Sequence, residues 1–197
     1  MVKDCEVRLK GFMNNTSYDL QILKHFGIGC RKVKTIKAIE CSFSLPDLDK
    51  IFCCDGASRG NPGCAGYGFI ARDYASNFIA AESGGLGIST NFIAEIMGII
   101  CALEWAVQNS KEEVIINPDS TTAIRAFMRN NFPWYVWNRW KYICRKIKSI
   151  HFNHVYREVN FSADFFAKKG VHLPKGEVIK FATRPSQMHI MEFPTRP

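Results

Sequence analysis

Four carboxylates in this 197-residue chain have types and positions suited to chemistry. Asp55 follows the apolar run "IFCC". Glu95 stands in "NFIAEIMGI", Asp119 follows "VIINP", and Asp164 stands in "NFSADFFAKKG". Each lies at the end of a strand-like stretch or near the start of a helical one. In a sheet flanked by helices, such places can meet on one face, and four acids gathered there would repel each other strongly. A hard divalent cation relieves that repulsion. Mg²⁺ prefers oxygen ligands and keeps several waters, so a few carboxylates suffice to hold it. Two such ions close together support in-line hydrolysis of a phosphodiester, one activating the attacking water and the other stabilising the leaving oxygen. A plainer reading exists for each acid alone. Asp119 can cap a helix, and Glu95 and Asp164 can be first-turn acids favoured by the helix dipole. Four together, beside an Asp-Gly turn, are less well explained that way.

The elements that must position these acids read as follows. Residues 51–54 form a short buried strand, and 66–73 and 77–82 form two more, separated by tight turns as in an antiparallel meander. Residues 91–108 form a helix: Ile93, Ile96, Met97, Ile100, Leu103 and Val107 recur at helical spacing, and Thr90 or Asn91 can cap it. A buried strand at 114–116 ends at Pro118, with helices at 120–128 and 134–149. "HFNHVYRE" reads as a last strand and 161–169 as a final helix stopped by Gly170. Strands alternating with helices after an opening meander predict an α/β fold, a five-stranded mixed sheet flanked by helices.

Residues 1–50 read as a weakly structured extension with a basic cluster at Arg31, Lys32, Lys34 and Lys37, and 172–197 as a polar, Pro-dotted tail. The organised domain is 51–171. The net charge of +8 points to an anionic partner, nucleic acid first. No apolar run approaches a bilayer span and no apolar leader opens the chain, so the expectation is a protein of cytosol or nucleus, neither secreted nor in a membrane. The eight cysteines include no CxxC pair and no zinc spacing, and are expected to be reduced and mostly buried.

"DGASRGNPGCAGYGFIARD" resembles the opening motif of type 1 ribonuclease H, closest to the plant retroelement-derived RNase H-like domains. "STNFIAEIMGIICALEWA", "PDSTTAI" and "HVYREVNFSADFFAKKG" resemble that family's three later motifs, in order, over roughly residues 51–171. The resemblance implies a ribonuclease H-like fold. It implies a metal-dependent endonuclease cutting the RNA strand of RNA/DNA hybrids by a two-metal-ion mechanism, and a monomer is expected. Mg²⁺ would be the cofactor, with Mn²⁺ as substitute. Asp55, Glu95, Asp119 and Asp164 would be the metal-binding catalytic acids, and His154 a catalytic-loop histidine aiding proton transfer or product release. Asn160 matches the family asparagine that shapes the last acid's helix.

The family reads the 2′-hydroxyls of a hybrid across its minor groove, and Ser58, Asn61 and Asn91 occupy matching positions. Lys141, Arg145 and Lys148 fall on one predicted helical face, with Arg139 and Lys146 close by, and could hold the DNA strand's phosphates. A solvated helix face is the alternative for that stripe. Trp134 and Trp137 read as packing residues. Phe92 replaces a family asparagine, and Pro118 directly precedes Asp119 with a fixed φ that could displace that carboxylate. These departures motivate a second expectation, a catalytically silent nucleic-acid-binding domain derived from a retroelement.

Overall fold

The apolar run at 51–54 opens a long hairpin whose far half is made of small and polar residues held by pairing. Strand β1 (Ile51–Gly60) pairs antiparallel with β2 (Gly63–Arg72), turning through Asn61 and Pro62, and β2 pairs antiparallel with β3 (Phe78–Ser89). Helix α2 (Asn91–Gln108) follows, then β4 (Glu113–Pro118), α3 (Thr121–Met128), α4 (Trp134–Lys146), β5 (Ser149–Phe152), α5 (Phe161–Gly170) and β6 (Val178–Phe181). A computed structural model describes residues 17–27 and 51–188 of the chain. The chain divides into two units, 1–40 and 41–197. In the first, helix α1 (Ser17–Phe26) stands within the stretch expected to be weakly structured. The basic cluster at 31–37, the expected boundary at 50, Cys5, Cys30, Cys41 and the end of the tail lie outside the described residues.

The sheet has six strands in the order β5-β4-β1-β2-β3-β6, with β4 parallel to both β1 and β5 and the remaining pairs antiparallel. The sequence predicts five. The sixth, β6, lies in the expected tail and covers the edge of β3, where unpaired backbone groups would otherwise stand open. The predicted strand over "HFNHVYRE" instead ends at Phe152, and the predicted helix over 134–149 ends at Lys146.

One face of the sheet carries the larger core, where Phe52, Phe69, Ile116, Ile96, Ile100, Leu103 and Ile143 are buried among β1, β2, β4, α2 and α4. On the other face, Ile70, Ala163 and Phe166 join α5 to the sheet. By length and composition α2 could cross a membrane, contrary to the sequence expectation, yet 56% of it is buried inside the fold. Of the cysteines described, Cys53, Cys54 and Cys101 are buried and Cys64 and Cys144 exposed, and none of them is in a disulfide.

Two glycines set how closely α2 approaches the strand that carries Asp55. A Cβ on Gly56 would stand 2.1 Å from the Glu95 backbone nitrogen, and one on Gly98 would stand 2.7 Å from the Asp55 carbonyl oxygen. Gly98, which costs a helix about 1 kcal/mol against alanine, is thus explained by packing. Gly56→Ala should therefore force α2 off β1 and destabilise the fold by roughly 1–3 kcal/mol. A denaturant titration giving a wild-type midpoint for this variant would contradict the close seating.

Candidate active site

Strand β1 runs farther than its parallel neighbour. Pairing with β4 stops at Cys54 opposite Pro118, while pairing with β2 continues to Gly60. Asp55 occupies the first position beyond that fork, at the carboxyl ends of two parallel strands, where open α/β sheets place their ligands. Its Oδ1 accepts a hydrogen bond from the Gly56 N–H at 2.8 Å. Asp119 is the first residue after β4. It does not cap α3, because Ser120 does so, its Oγ accepting from the Ala123 N–H at 3.2 Å. Glu95 is not a first-turn acid. Thr90 caps α2, its Oγ1 accepting from the Ile93 N–H at 3.3 Å, and Glu95 lies one turn farther in. The plainer readings of Asp119 and Glu95 therefore lose their structural basis.

Carboxylate oxygens of Asp55, Glu95 and Asp119 lie within 4.8 Å of one another. Asp55 and Glu95 are only 4% and 7% exposed. Burial pushes Asp55 up to about 7, and the charges of Asp119 and Asp164 add to it. Burial raises Glu95 further, to about 9, with Asp55 and Asp119 contributing, and burial likewise raises Asp119. Glu95 Oε2 and Asp119 Oδ1 are buried without a hydrogen-bond partner. Buried acceptors left open are costly, and hard oxygen donors this close together fit a divalent cation. Pro118 does not displace Asp119. It ends β4, where its missing N–H is no loss, and its carbonyl accepts from the Val155 N–H at 3.1 Å.

Asp164 lies in the first turn of α5 and lines the same cleft, of about 340 Å³, but stands outside the three-acid cluster. Its Oδ2 is 2.5 Å from Lys168 Nζ and its Oδ1 3.8 Å from an Arg157 guanidinium nitrogen. Asn160 sets the start of that helix without capping it. Its buried side chain donates to the Cys54 carbonyl at 2.9 Å, tying α5 to the residue before Asp55. His154 sits in the exposed loop after β5, and its Nε2 is 3.0 Å from the Asp119 carbonyl oxygen. The reading of His154 as a strand residue is thereby excluded.

A family profile described as reverse transcriptase-like matches residues 53–170, more than half of the chain. The chain belongs to the reverse transcriptase-like family. Ribonuclease HI of Streptomyces coelicolor is 38% identical over 90 residues, 45% of this chain and 37% of that protein. Ribonuclease H of Buchnera aphidicola is 39% identical over 70 residues, 36% of this chain and 42% of that protein. The chain thus spans well under half the length of these curated relatives. Among solved structures, the N-terminal RNase H domain of Rv2228c from Mycobacterium tuberculosis superposes with a TM-score of 0.57 at 26% identity, covering 63% of this chain and 94% of that one. LC11-RNase H1 in complex with an RNA/DNA hybrid gives 0.55 at 27% identity, covering 62% and 96%. The fold is RNase H-like, with its acids clustered at the end of the sheet.

In this reverse transcriptase-like chain, the hairpin tip and the start of α2 are tied together. Asn61 Oδ1 accepts from the Asn91 N–H at 3.1 Å, and Ser58 Oγ donates to the Ser89 carbonyl at 3.2 Å. Ser58 and Asn91 line the acid cleft; Asn61 reaches it only through Asn91. Phe92 is half-buried against the core rather than facing the cleft.

The predicted basic stripe is only partly realised. Lys141 and Arg145 are exposed on α4, but Lys148 lies beyond the helix end and pairs with Glu112. Arg139 is committed to Glu104 through two contacts of 2.6 Å and is not part of a surface stripe. Trp137 packs on Phe132, as expected, whereas Trp134 is 85% exposed and meets only the ring of its neighbour Tyr135 edge-on among the described aromatic contacts. Arg59, Arg157 and Lys168 also line the cleft, and none of the three stands out as a site residue in the sequence. The spacing of Lys168 four residues after Asp164 is the one signal that could have found it.

Proposed function

We propose that this chain is a divalent-metal-dependent endonuclease that hydrolyses the RNA strand of RNA/DNA hybrids. The convergence of Asp55, Glu95 and Asp119, with two buried carboxylate oxygens left without partners, carries this reading. The RNase H relatives and the hybrid-bound structural neighbour support the substrate class. Asp55, Glu95 and Asp119 would hold Mg²⁺, or Mn²⁺ in its place, with Asp164 as a further ligand in a two-ion centre. The bound metal would lower the pKa of water and offset charge on the cleaved phosphate. The chain's own part is to keep the acids rigid, which the α2 seat on Gly56 and the Asn160 tie accomplish. Ser58 and Asn91, beside the cleft, offer polar groups to the minor groove. Lys141 and Arg145 offer charge to phosphates. A monomer acting in cytosol or nucleus completes the proposal, and its relation to plant retroelement-derived domains rests on the sequence resemblance.

A labelled RNA/DNA hybrid incubated with the full chain and Mg²⁺ should yield internal cuts in the RNA strand alone. Salt-sensitive hybrid binding without cleavage in either Mg²⁺ or Mn²⁺ would instead identify a silent binding domain.

A further inference from the structure

We propose that Lys168 is a built-in counter-cation for Asp164, which a second divalent ion must displace, so that the centre loads in two unequal steps. This rests on the metal-dependent reading above. The four acids are not in equivalent states. Among Asp55, Glu95 and Asp119, the oxygens lie within 4.8 Å of one another and two of them are buried without partners. The Arg157 charge reaches that trio too, but it offsets only part of the burial and mutual repulsion that raise all three acids. Both oxygens of Asp164, in contrast, face a cation: Oδ2 the Lys168 ammonium at 2.5 Å, and Oδ1 the Arg157 guanidinium at 3.8 Å.

The two contacts differ in kind. Lys168 is four residues along α5 from Asp164, so the helix itself brings them onto one face. Arg157 reaches over from the preceding loop and stays beyond hydrogen-bond range. An ammonium and a divalent ion on Oδ2 repel each other, so the ion binds less well while Lys168 stays in place. Lys168 is 65% exposed on its side chain, so its long stem can carry the charge into solvent once displaced. The first ion therefore meets open ligands at the trio, and the second must compete with a tethered cation at Asp164.

Calorimetric titration of the full chain with Mn²⁺ reads this directly, with no activity needed. The wild type should show a tighter and a weaker phase. Lys168→Gln should tighten the weaker phase about fivefold, the worth of a partly exposed ion pair, and leave the tighter phase unchanged. Lys168→Arg should restore the wild-type pattern. A second phase visible only in Lys168→Gln would support the same competition. Two wild-type phases that Lys168→Gln leaves untouched, or shifts equally, would overturn this inference alone. Absence of Mn²⁺ binding by the wild type would overturn both it and the metal-dependent reading. Because Lys168 is exposed, its variants should keep the wild-type circular dichroism spectrum.

Discussion

Asp55→Asn should abolish hybrid cleavage, by about 10³-fold or more, and at the same time stabilise the cation-free fold. The loss follows from removing one charged ligand from a preorganised electrostatic site. The gain follows from burial. Asp55 is 4% exposed, and burial together with Asp119 and Asp164 lifts it to about 7. Above that pH the native state holds a charge that the unfolded chain would solvate freely. Asparagine keeps the oxygen that accepts the Gly56 N–H and removes the charge. The gain should be on the order of a few kcal/mol at pH 8 and should shrink as pH falls, disappearing only below about pH 4, where the unfolded carboxyl is protonated as well. Single-turnover cleavage measures the loss, and thermal unfolding in EDTA at the two pH values measures the gain. Cleavage within tenfold of wild type, or a lower melting temperature at pH 8, would make Asp55 a structural residue.

Three of the acids were legible in the sequence for a physical reason: Asp55 and Asp119 sit where an apolar strand has just ended and Asp164 where a helix has just begun, whereas Glu95, one turn into α2, is marked only by the motif around it. Helix α2 was legible to its end residues, because its apolar spacing and the threonine cap are local signals. Strand β1 was legible only to Cys54. Gly56, Ser58, Arg59 and Gly60 have no preference for strand; they are held there by register with β2, a long-range cause. Strand β6 was hidden likewise, since four residues among glycines and prolines become a strand only against the open edge of β3. The split among the acids was hidden for a different reason. Lys168 is visibly one helical turn from Asp164, but its meaning depends on the cleft that both residues line. Trp134 reads as a packing residue, but the first buried position of α4 is Val136, two residues farther on.

Removal of divalent cations should make stability fall as pH rises, the reverse of ordinary acid denaturation. Burial raises Asp55 from 3.8 to about 7 and Glu95 from 4.5 to about 9. For a carboxyl group raised in the fold, the native state binds more protons than the unfolded state between the two pKa values. The slope of unfolding free energy against pH is then negative. Stability fully present below about pH 4 is lost progressively above it, the Asp55 share being gone by about 7 and the Glu95 share by about 9. A bound cation reverses the balance, because it needs ionised ligands and its binding releases the protons that the fold had retained. Saturating Mg²⁺ should therefore raise the melting temperature little at pH 5 and most at pH 8 to 9, flattening the profile seen in EDTA. Glu95→Gln should flatten the EDTA profile by itself, since it removes the group with the higher pKa, and should also forfeit most of the Mg²⁺ shift. Thermal unfolding across this pH range, with EDTA or Mg²⁺, gives the answer. An equal Mg²⁺ shift at pH 5 and pH 8.5 would mean that the cation binds somewhere other than these buried carboxylates.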